Sequence, residues 1–279
     1  MQYRSISTFI ADDADMARTI GVAAGFAARQ DAHLDVCCMG VDSTQGAGFY
    51  AGAPAIIYQD ALDNARETAE RLEAAARRHL QGVTTRWGTD SAVLTLGGVG
   101  SYVGLRARFS DLVILPRPYG EGRGLIDEAT LEAALFEGGA PVLVVPDGMK
   151  TLPEPRRIVI AWNQSNEALS AVRRALPLLC AADLVNICVI DPPTHGAERS
   201  DPGGLLTQML ARHGVRAEVS VLARTMPRVS DVLNRQLQDF DADLLVMGAY
   251  GHSRLREAIL GGTTREVLEG CRTSAFLAH

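Results

Sequence analysis

The sequence predicts an α/β fold in which two similar units follow one another, each a five-stranded parallel sheet with helices on both faces. Apolar runs of strand length alternate with amphipathic helical segments along all 279 residues, a pattern typical of βαβ crossovers. The same order runs twice, and Ser-Asp-Leu-Val at 110–113 resembles Ala-Asp-Leu-Leu at 242–245. A polar, proline-bearing segment, 147–155, separates the copies. We therefore predict two domains, 1–150 and 151–279.

In the first unit, short apolar runs indicate strands and Ala-rich amphipathic stretches indicate helices. Glycines make the segment 91–108 ambiguous, and the glycine- and proline-bearing segment 43–54 is expected to be a loop. The prolines that flank the fifth strand favour an edge position. We expect strands at 6–10, 34–41, 83–87, 111–115 and 141–146, and helices at 13–30, 57–80 and 128–137.

The second unit repeats this order with a shorter second helix. The segment 191–204 contains three prolines and is expected to be a loop. We expect strands at 157–162, 184–190, 215–222, 243–247 and 274–278, helices at 166–180, 205–213 and 229–240, and a last helix that contains Glu266.

Charge and composition exclude several classes of partner. The net charge is −6, aromatic residues make up 5%, and no run of Lys or Arg forms a basic patch. We therefore expect no nucleic-acid partner. No apolar run approaches the roughly 20 residues that span a bilayer, and the first residues lack the apolar core of a signal peptide. No membrane association and a cytoplasmic location are expected.

The cysteines and histidines suggest no metal centre. The five cysteines include no Cys-x-x-Cys pair, and Cys37, Cys38 and Cys188 lie in apolar strands. We expect them to be buried free thiols. The six histidines are scattered without metal-ligand spacing. The sequence therefore assigns neither a metal site nor a catalytic residue.

A glycine-rich stretch after the fourth strand of the second unit predicts a phosphate cradle. The strand ends in Gly248-Ala-Tyr-Gly251, and nine residues later Gly261-Gly262-Thr263-Thr264 precedes a helix. Glycines let backbone N–H groups approach an anion, and a helix N-terminus favours negative charge. No Lys follows the glycines as in a P-loop, and the spacing is not that of the dinucleotide-binding fingerprint.

Other segments are expected at the same edge of the sheet, because ligands of open α/β sheets bind beyond the carboxyl ends of the strands. Ala161, Trp162 and Asn163 follow the first strand of the second unit, and Val189 lies near the end of the second strand. The indole of Trp162 is expected to lie in the core rather than to stack against a ligand. Arg254 and Arg256 are expected either to contact phosphate or to lie on a solvated face.

The Gly-x2-Gly-x9-Gly pattern of Gly248, Gly251 and Gly261, within this two-fold α/β chain, resembles the universal stress protein family. The resemblance implies two tandem Rossmann-like domains of the adenine nucleotide alpha hydrolase-like type. It further implies that the final strands of the two units, 141–146 and 276–278, pair within the chain as a pseudo-dimer, with a further homodimer as an additional expectation. It also implies that the glycine loop holds the phosphates and ribose of ATP or AMP, with Mg²⁺ accompanying ATP. The site residues it implies are Ala161, Trp162, Asn163, Val189, Met247, Gly248, Gly251, His252, Gly261, Gly262, Thr263 and Thr264.

This sequence departs from the family pattern at two of these positions. Gly262 stands where the family has Ser or Thr after the third glycine, although Thr264 supplies a hydroxyl two residues on. Asn163 replaces the Asp that follows the first strand, so it can hydrogen-bond ribose but carries no charge.

The first unit departs further, because its fourth strand runs into Pro-Arg-Pro-Tyr-Gly at 116–120. Proline has no N–H to offer a phosphate. The first unit keeps Asp12 and Asp13 after its first strand, but we expect it not to bind nucleotide in the usual way.

A purely structural interpretation of the glycines also remains open. Gly248 would then only end a strand, Gly251 would serve a turn with positive φ, and Gly261-Gly262 would cap a helix. Thr263 and Glu266 would form a capping box without any ligand. His252 would be a surface or packing residue.

The resemblance implies a cytosolic stress-response protein that regulates or binds rather than a fast enzyme. One alternative is a slow ATP-hydrolysing or nucleotidyl-transferring enzyme on the same fold, for which Asp191 is the only obvious carboxylate in the second unit. The other alternative is a protein-interaction module without a ligand.

Overall fold

The computed structural model describes residues 2–42, 55–192, 200–249 and 262–279. In these ranges the first half alternates strands and helices as expected. Its strands are β1 (Ser5–Ile10), β2 (His33–Asp42), β3 (Arg86–Thr95), β4 (Leu112–Pro116) and β5 (Val142–Val145). Its helices are α1 (Met16–Gln30), α2 (Ala55–Leu80), α3 (Val99–Ala107) and α4 (Leu125–Phe136). The predicted loop at 43–54 lies outside the described residues.

The second half repeats the alternation. Its strands are β6 (Arg157–Ala161), β7 (Leu184–Ile190), β8 (Ala217–Leu222), β9 (Leu244–Gly248) and β10 (Ser274–Ala278). Its helices within the described residues are α5 (Asn166–Ala181), α6 (Gly204–Arg212), α7 (Val229–Asp239) and α8 (Thr263–Gly270). Most of the predicted loop at 191–204 lies outside the described residues.

The ten strands of the described residues form one sheet, in the order β3-β2-β1-β4-β5-β10-β9-β6-β7-β8. The five strands of each half are parallel to one another. The halves join where β5 and β10 pair antiparallel, with Phe276 opposite Leu143. The expected pairing of the two final strands is thus confirmed within the chain.

The predicted edge position of β5 is wrong, because β5 has strand partners on both sides, β4 and β10. The strand spans only Val142–Val145, so Pro141 and Pro146 lie just beyond its ends. No ladder N–H is therefore lost inside the strand, and the prolines are compatible with a central position.

The third strand also differs from its predicted bounds of 83–87. It begins at Arg86 and pairs with β2 along ten residues, from His33↔Arg86 to Asp42↔Thr95. Part of the ambiguous segment 91–108 therefore extends the strand, and a short 3-10 turn and α3 form the rest. The long pairing with β2 thus determines the strand, although the local sequence of 91–108 only weakly indicates its structure.

The core lies on both faces of the sheet and crosses the boundary between the halves. One buried cluster joins α1 and α2 to α5 and α6, and the other joins α3 and α4 to α7 and α8. The ring of Tyr3 lies 6.4 Å from that of Phe276, and the Tyr3 hydroxyl donates to the carbonyl of Arg174 at 2.8 Å. The two halves therefore share apolar packing as well as a sheet.

The cysteines match the expectation of free, mostly buried thiols. Cys37, Cys38, Cys188 and Cys271 are buried, whereas Cys180 is exposed. Burial raises the pKa of Cys37 to about 11 and that of Cys188 to about 12. These thiols are therefore protonated and unreactive at neutral pH.

Candidate functional site

Some of the predicted site residues of the second half, Ala161, Met247 and Gly248, lie together at the carboxyl edge of the sheet. Strand β6 lies between β7 and β9, so the chain changes direction across the sheet at β6. Ala161, the last residue of β6, lies beside Cys188 of β7 and Met247 of β9. This is the topological switch point at which open α/β sheets bind ligands.

Trp162 and Asn163 leave β6 at this edge in different environments. The side chain of Trp162 is buried within the core, as expected, but its Nε1 has no hydrogen-bond partner among the described residues. Asn163 is exposed, and its Oδ1 accepts the backbone N–H of Ser165 at 3.1 Å. Ser165 in turn caps α5 by accepting the N–H of Ala168. The Asn163 side chain thus helps to form the turn into α5.

Val189 and Met247 are buried in their strands, at 2% and 6% exposure. Their side chains belong to the two core clusters. A ligand at this edge would therefore meet the main chain of these residues rather than their side chains.

Gly248 has a structural requirement of its own. A Cβ at this position would lie 2.5 Å from the backbone nitrogen of Ala168 and 2.7 Å from the carbonyl carbon of Glu167. Real Cβ atoms do not approach backbone this closely, so glycine is needed for α5 to pack against the end of β9. The structural interpretation of this glycine is therefore supported whether or not a ligand binds.

Helix α8 begins directly after the glycine-rich stretch, with Gly262 as its N-cap residue at φ −74°. The predicted capping box of Thr263 and Glu266 is wrong, because Glu266 Oε2 accepts the hydroxyl of Ser230 at 2.7 Å. Thr263 is exposed and Thr264 is buried. The N-cap residue of α8 is a glycine, which has no side chain to accept a hydrogen bond from the first turn.

The centre of the glycine-rich stretch is not part of the described structure. Gly251, His252 and Gly261 lie outside the described residues, as do Arg254 and Arg256. Their predicted roles stay predictions.

The first half has a different arrangement at the corresponding edge, beyond β1 and β4. A cavity of about 40 Å³ there is lined by Asp12, Asp15, Thr19, Arg123 and Asp127, among others. The guanidinium of Arg123 is only 10% exposed; it forms ion pairs with Asp15 and, at 2.8 Å, with Asp147. The chain thus places its own charges at the edge that corresponds to the switch point of the second half.

Two carboxylates of this cavity have shifted pKa values. Burial raises the pKa of Asp15, but hydrogen bonds from Arg18 and Arg123 outweigh it and hold the pKa below its ordinary value. Burial raises the pKa of Asp127, although the N–H of Gly124, the N-cap residue of α4, donates to Asp127 Oδ2 at 2.9 Å. A carboxylate of the chain thus occupies the N-terminus of α4, where the helix dipole favours negative charge.

Replacing Arg123 with methionine is expected to lower the free energy of unfolding by about 1–3 kcal/mol at neutral pH, because it removes a largely buried cation that pairs with both Asp15 and Asp147 and leaves Arg18 as the cation they share. The folded-state pKa of Asp15 lies below its unfolded value of about 4. Its contribution is therefore present above that pH and is lost as the pH falls through the folded-state value. Urea unfolding at neutral pH and near pH 3 should show a difference between variant and parent that shrinks in acid.

Arg235→Met is the matched control, because the ion pair between Arg235 and Asp239 is about two-thirds exposed on both sides. It should change stability by less than about 1 kcal/mol at either pH. Equal effects of the two variants would contradict a special role for Arg123.

Two other features of the described residues bear on function. No group of three or more His, Cys, Asp or Glu side chains among them is arranged to hold a metal ion. Nor does the described part of the chain contain a helix long and apolar enough to cross a membrane.

Comparison with known proteins identifies the second half. Residues 154–278 match a model of the universal stress protein family. The chain is 28% identical over 145 residues to the universal stress protein Slr1230 of Synechocystis, a match that spans 50% of this chain and 47% of the relative. The chain thus matches about half of that curated relative's length.

Comparison with solved structures covers nearly the whole chain. A universal stress protein from Archaeoglobus fulgidus superimposes with a TM-score of 0.71 at 13% identity, over 98% of this chain and 95% of that one. The functionally unknown protein PA1789 from Pseudomonas aeruginosa gives 0.57 at 15% identity, over 99% and 92%. At these identities the likeness shows the fold. Residues 154–278 thus match the universal stress protein family, and the two halves together adopt the fold of a solved universal stress protein.

Proposed function

We propose that the protein binds one adenine nucleotide, ATP or AMP, in its second half and acts as a stress-response regulatory or binding protein. One observation carries the proposal: the switch point beside β6 lies next to Gly248, and helix α8 begins after the glycine-rich stretch with a glycine as its N-cap residue. A helix N-terminus that follows glycines suits a phosphate. The match of residues 154–278 to the universal stress protein family supports the same location.

The residues present fit a nucleotide in the following way. Phosphates would lie against the glycine-rich stretch and the first turn of α8, where Thr263 and Thr264 add hydroxyls. Asn163 would bond the ribose, and the main chain of Val189 and Met247 would contact adenine. Charge-assisted hydrogen bonds of this kind contribute about 1.5–3 kcal/mol each before opposing costs. Mg²⁺ would accompany the phosphates of ATP.

The first half is proposed not to bind nucleotide in the usual way. The carboxylates of Asp12, Asp15 and Asp127 surround its cavity, and Arg123 is already paired with Asp15 and Asp147. A polyphosphate would meet more negative charge than unpaired positive charge there. We therefore expect one nucleotide per chain.

Calorimetric titration with ATP tests the proposal. The parent protein should bind about one ATP per chain, and Gly251→Val should weaken binding by about tenfold or more, because a side chain in the cradle displaces phosphate. Gly97→Val is the control, because a Cβ at Gly97 meets no atom within 4 Å. Absence of heat at millimolar ATP, in protein free of co-purified nucleotide, would overturn the proposal.

Two further readouts separate the alternatives. If the protein is a ligand-free interaction module, its melting temperature will be the same with and without ATP. A bound nucleotide at 100 times its dissociation constant would instead stabilise the fold by about 2.7 kcal/mol. A slow ATP-hydrolysing enzyme would release phosphate above background and lose that release in Gly251→Val.

A further inference from the structure

A second concave site lies at the opposite end of the strands, in the first half. It is a groove of about 340 Å³ on the face of the sheet that α3 only partly covers. This volume falls in the lower part of the range of about 300–1,000 Å³ for small-molecule sites. Strands β1, β2 and β3 form its floor through Ser7, Asp35 and Gly88, and the end of α3 forms one wall through Arg106 and Phe109.

The second half shows which residues keep this groove open. Asp111 accepts the backbone N–H groups of Arg4 and Ser5, and Asp243 accepts those of Arg156 and Arg157, so Ser5 corresponds to Arg157.

Strand register extends this correspondence across the sheet. In the first half Asp35 lies opposite Gly88, and in the second half Asn186 lies opposite Glu218. Gly88 therefore corresponds to Glu218. The first half has small residues, Ser5 and Gly88, where the second half has Arg157 and Glu218.

In the second half, the larger side chains of Arg157 and Glu218 occupy the sheet face that corresponds to the groove. Arg157 lies over the ring of Phe240 at 4.3 Å, and its Nε donates to the Phe240 carbonyl at 2.7 Å. The amide nitrogen of Asn186 donates to Glu218 at 3.2 Å, and its oxygen accepts from Gln236 at 3.2 Å. This network closes the surface. Ser5 and Gly88 provide no such groups, so the corresponding surface of the first half stays concave.

The groups around the groove suit hydroxyls. The side chains of Asp35 and Asp90 are 49% and 44% exposed. Each carboxylate has several acceptor positions, and only some are used: His33 Nε2 lies 3.3 Å from Asp35, and Arg106 and the Tyr102 hydroxyl contact Asp90.

The charges and the rim of the groove narrow the ligand class further. Two carboxylates face one permanently charged guanidinium, that of Arg106, which is already paired with Asp90. This balance disfavours an anion. Phe109 is 75% exposed at the rim and offers an apolar ring face. An aromatic face beside carboxylate and hydroxyl groups is complementary to a molecule with one apolar face and several hydroxyls.

We propose that this groove binds a neutral polyhydroxylated molecule of monosaccharide size, at a site separate from the nucleotide edge. The carboxylates of Asp35 and Asp90 accept hydrogen bonds from neighbouring hydroxyls of the ligand. The Phe109 ring packs on its C–H face. The site needs no contribution from the second half or from a nucleotide.

Amide chemical shifts measured by NMR during titration test this proposal. The neutral probes are D-glucose, D-mannose and D-ribose, and the charged probes are putrescine and inorganic phosphate. At least one sugar is expected to cause saturable shifts centred on Gly88 and Phe109 at millimolar concentration, whereas putrescine and phosphate cause none there.

Two variants are expected to weaken sugar binding by about tenfold or more. Gly88→Glu places in the groove the side chain that Glu218 has in the second half, and the nearest atoms to the new Cβ are the side-chain tips of Asp35 and His33, at 3.3 and 3.4 Å. Phe109→Ala removes the exposed ring without touching the core. Leu205→Ala, which truncates a side chain that is 65% exposed in the second half, is the control and should bind as the parent does.

Three results would overturn the proposal. One is the absence of saturable shifts with every sugar. Another is sugar binding that both groove variants leave unchanged, and the third is a response at Gly88 to putrescine or phosphate instead of the sugars. Because Phe109 is exposed, Phe109→Ala remains informative if Gly88→Glu fails to fold.

Discussion

Replacing Phe276 with alanine is expected to lower the free energy of unfolding by about 3–5 kcal/mol, the usual effect of removing a fully buried aromatic ring. Phe276 is 0% exposed and lies in β10, between β5 of the first half and β9 of the second. Its ring also approaches that of Tyr3. The cavity would therefore open where both halves meet. Chemical denaturation followed by circular dichroism measures the loss.

Phe109→Ala is the matched control, because it deletes the same ring from a site that is 75% exposed, and it should change stability by less than about 0.5 kcal/mol. The parent is expected to unfold in one transition, since both core clusters contain residues of both halves. A Phe276→Ala variant that unfolds in two steps, with the first half unaffected, would contradict a shared core.

Replacing Gly248 with valine is expected to destabilise the nucleotide-free protein by about 3 kcal/mol, at the upper end of the usual effect of overpacking. The new Cβ would lie 2.5 Å from the backbone nitrogen of Ala168 and 2.9 Å from Glu167 Cβ. These atoms belong to the start of α5, so relief requires the helix to move away from β9. Urea unfolding without nucleotide measures the effect.

Gly97→Val serves as the control for the same substitution in open space. Normal stability of Gly248→Val together with loss of ATP binding would show that this glycine serves the ligand alone. We expect instead that Gly248→Val destabilises the apoprotein. Weaker nucleotide binding would then be a consequence of that loss of stability.

Most of the fold could be predicted from the sequence, because the apolar runs that indicate strands are also the segments that the folded protein buries. Strands β7 and β10 have the predicted bounds, 184–190 and 274–278, since apolar runs there end at polar residues or turns. The pairing of β5 with β10 was expected from the resemblance to the universal stress protein family.

The errors arise where distant partners decide. Strand β3 extends to Thr95 because β2 offers ten residues to pair with. Glu266 does not cap its own helix, because Ser230, 36 residues earlier, donates to it. Both partners, β2 and Ser230, are too distant in the sequence for the local pattern to indicate them.

The candidate site was predicted in part. Strand order brings Ala161 and Met247 side by side, as inferred from the topology. The ion pairs of Arg123 with Asp15 and Asp147 were missed, because Asp15 is 108 residues away in the sequence. The proline-rich end of β4 indicated only that this half lacks a phosphate loop. Aligning Ser5 with Arg157 and Gly88 with Glu218 would have indicated the open groove.

The most direct test of nucleotide binding is a crystal structure of the protein with saturating ATP. Nucleotide is predicted at the carboxyl edge of the second half, with phosphates against Gly248–Thr264 and adenine beside Val189, and none is predicted in the cavity around Arg123. Nucleotide bound only in the first half, or no nucleotide at either edge, would contradict the assignment.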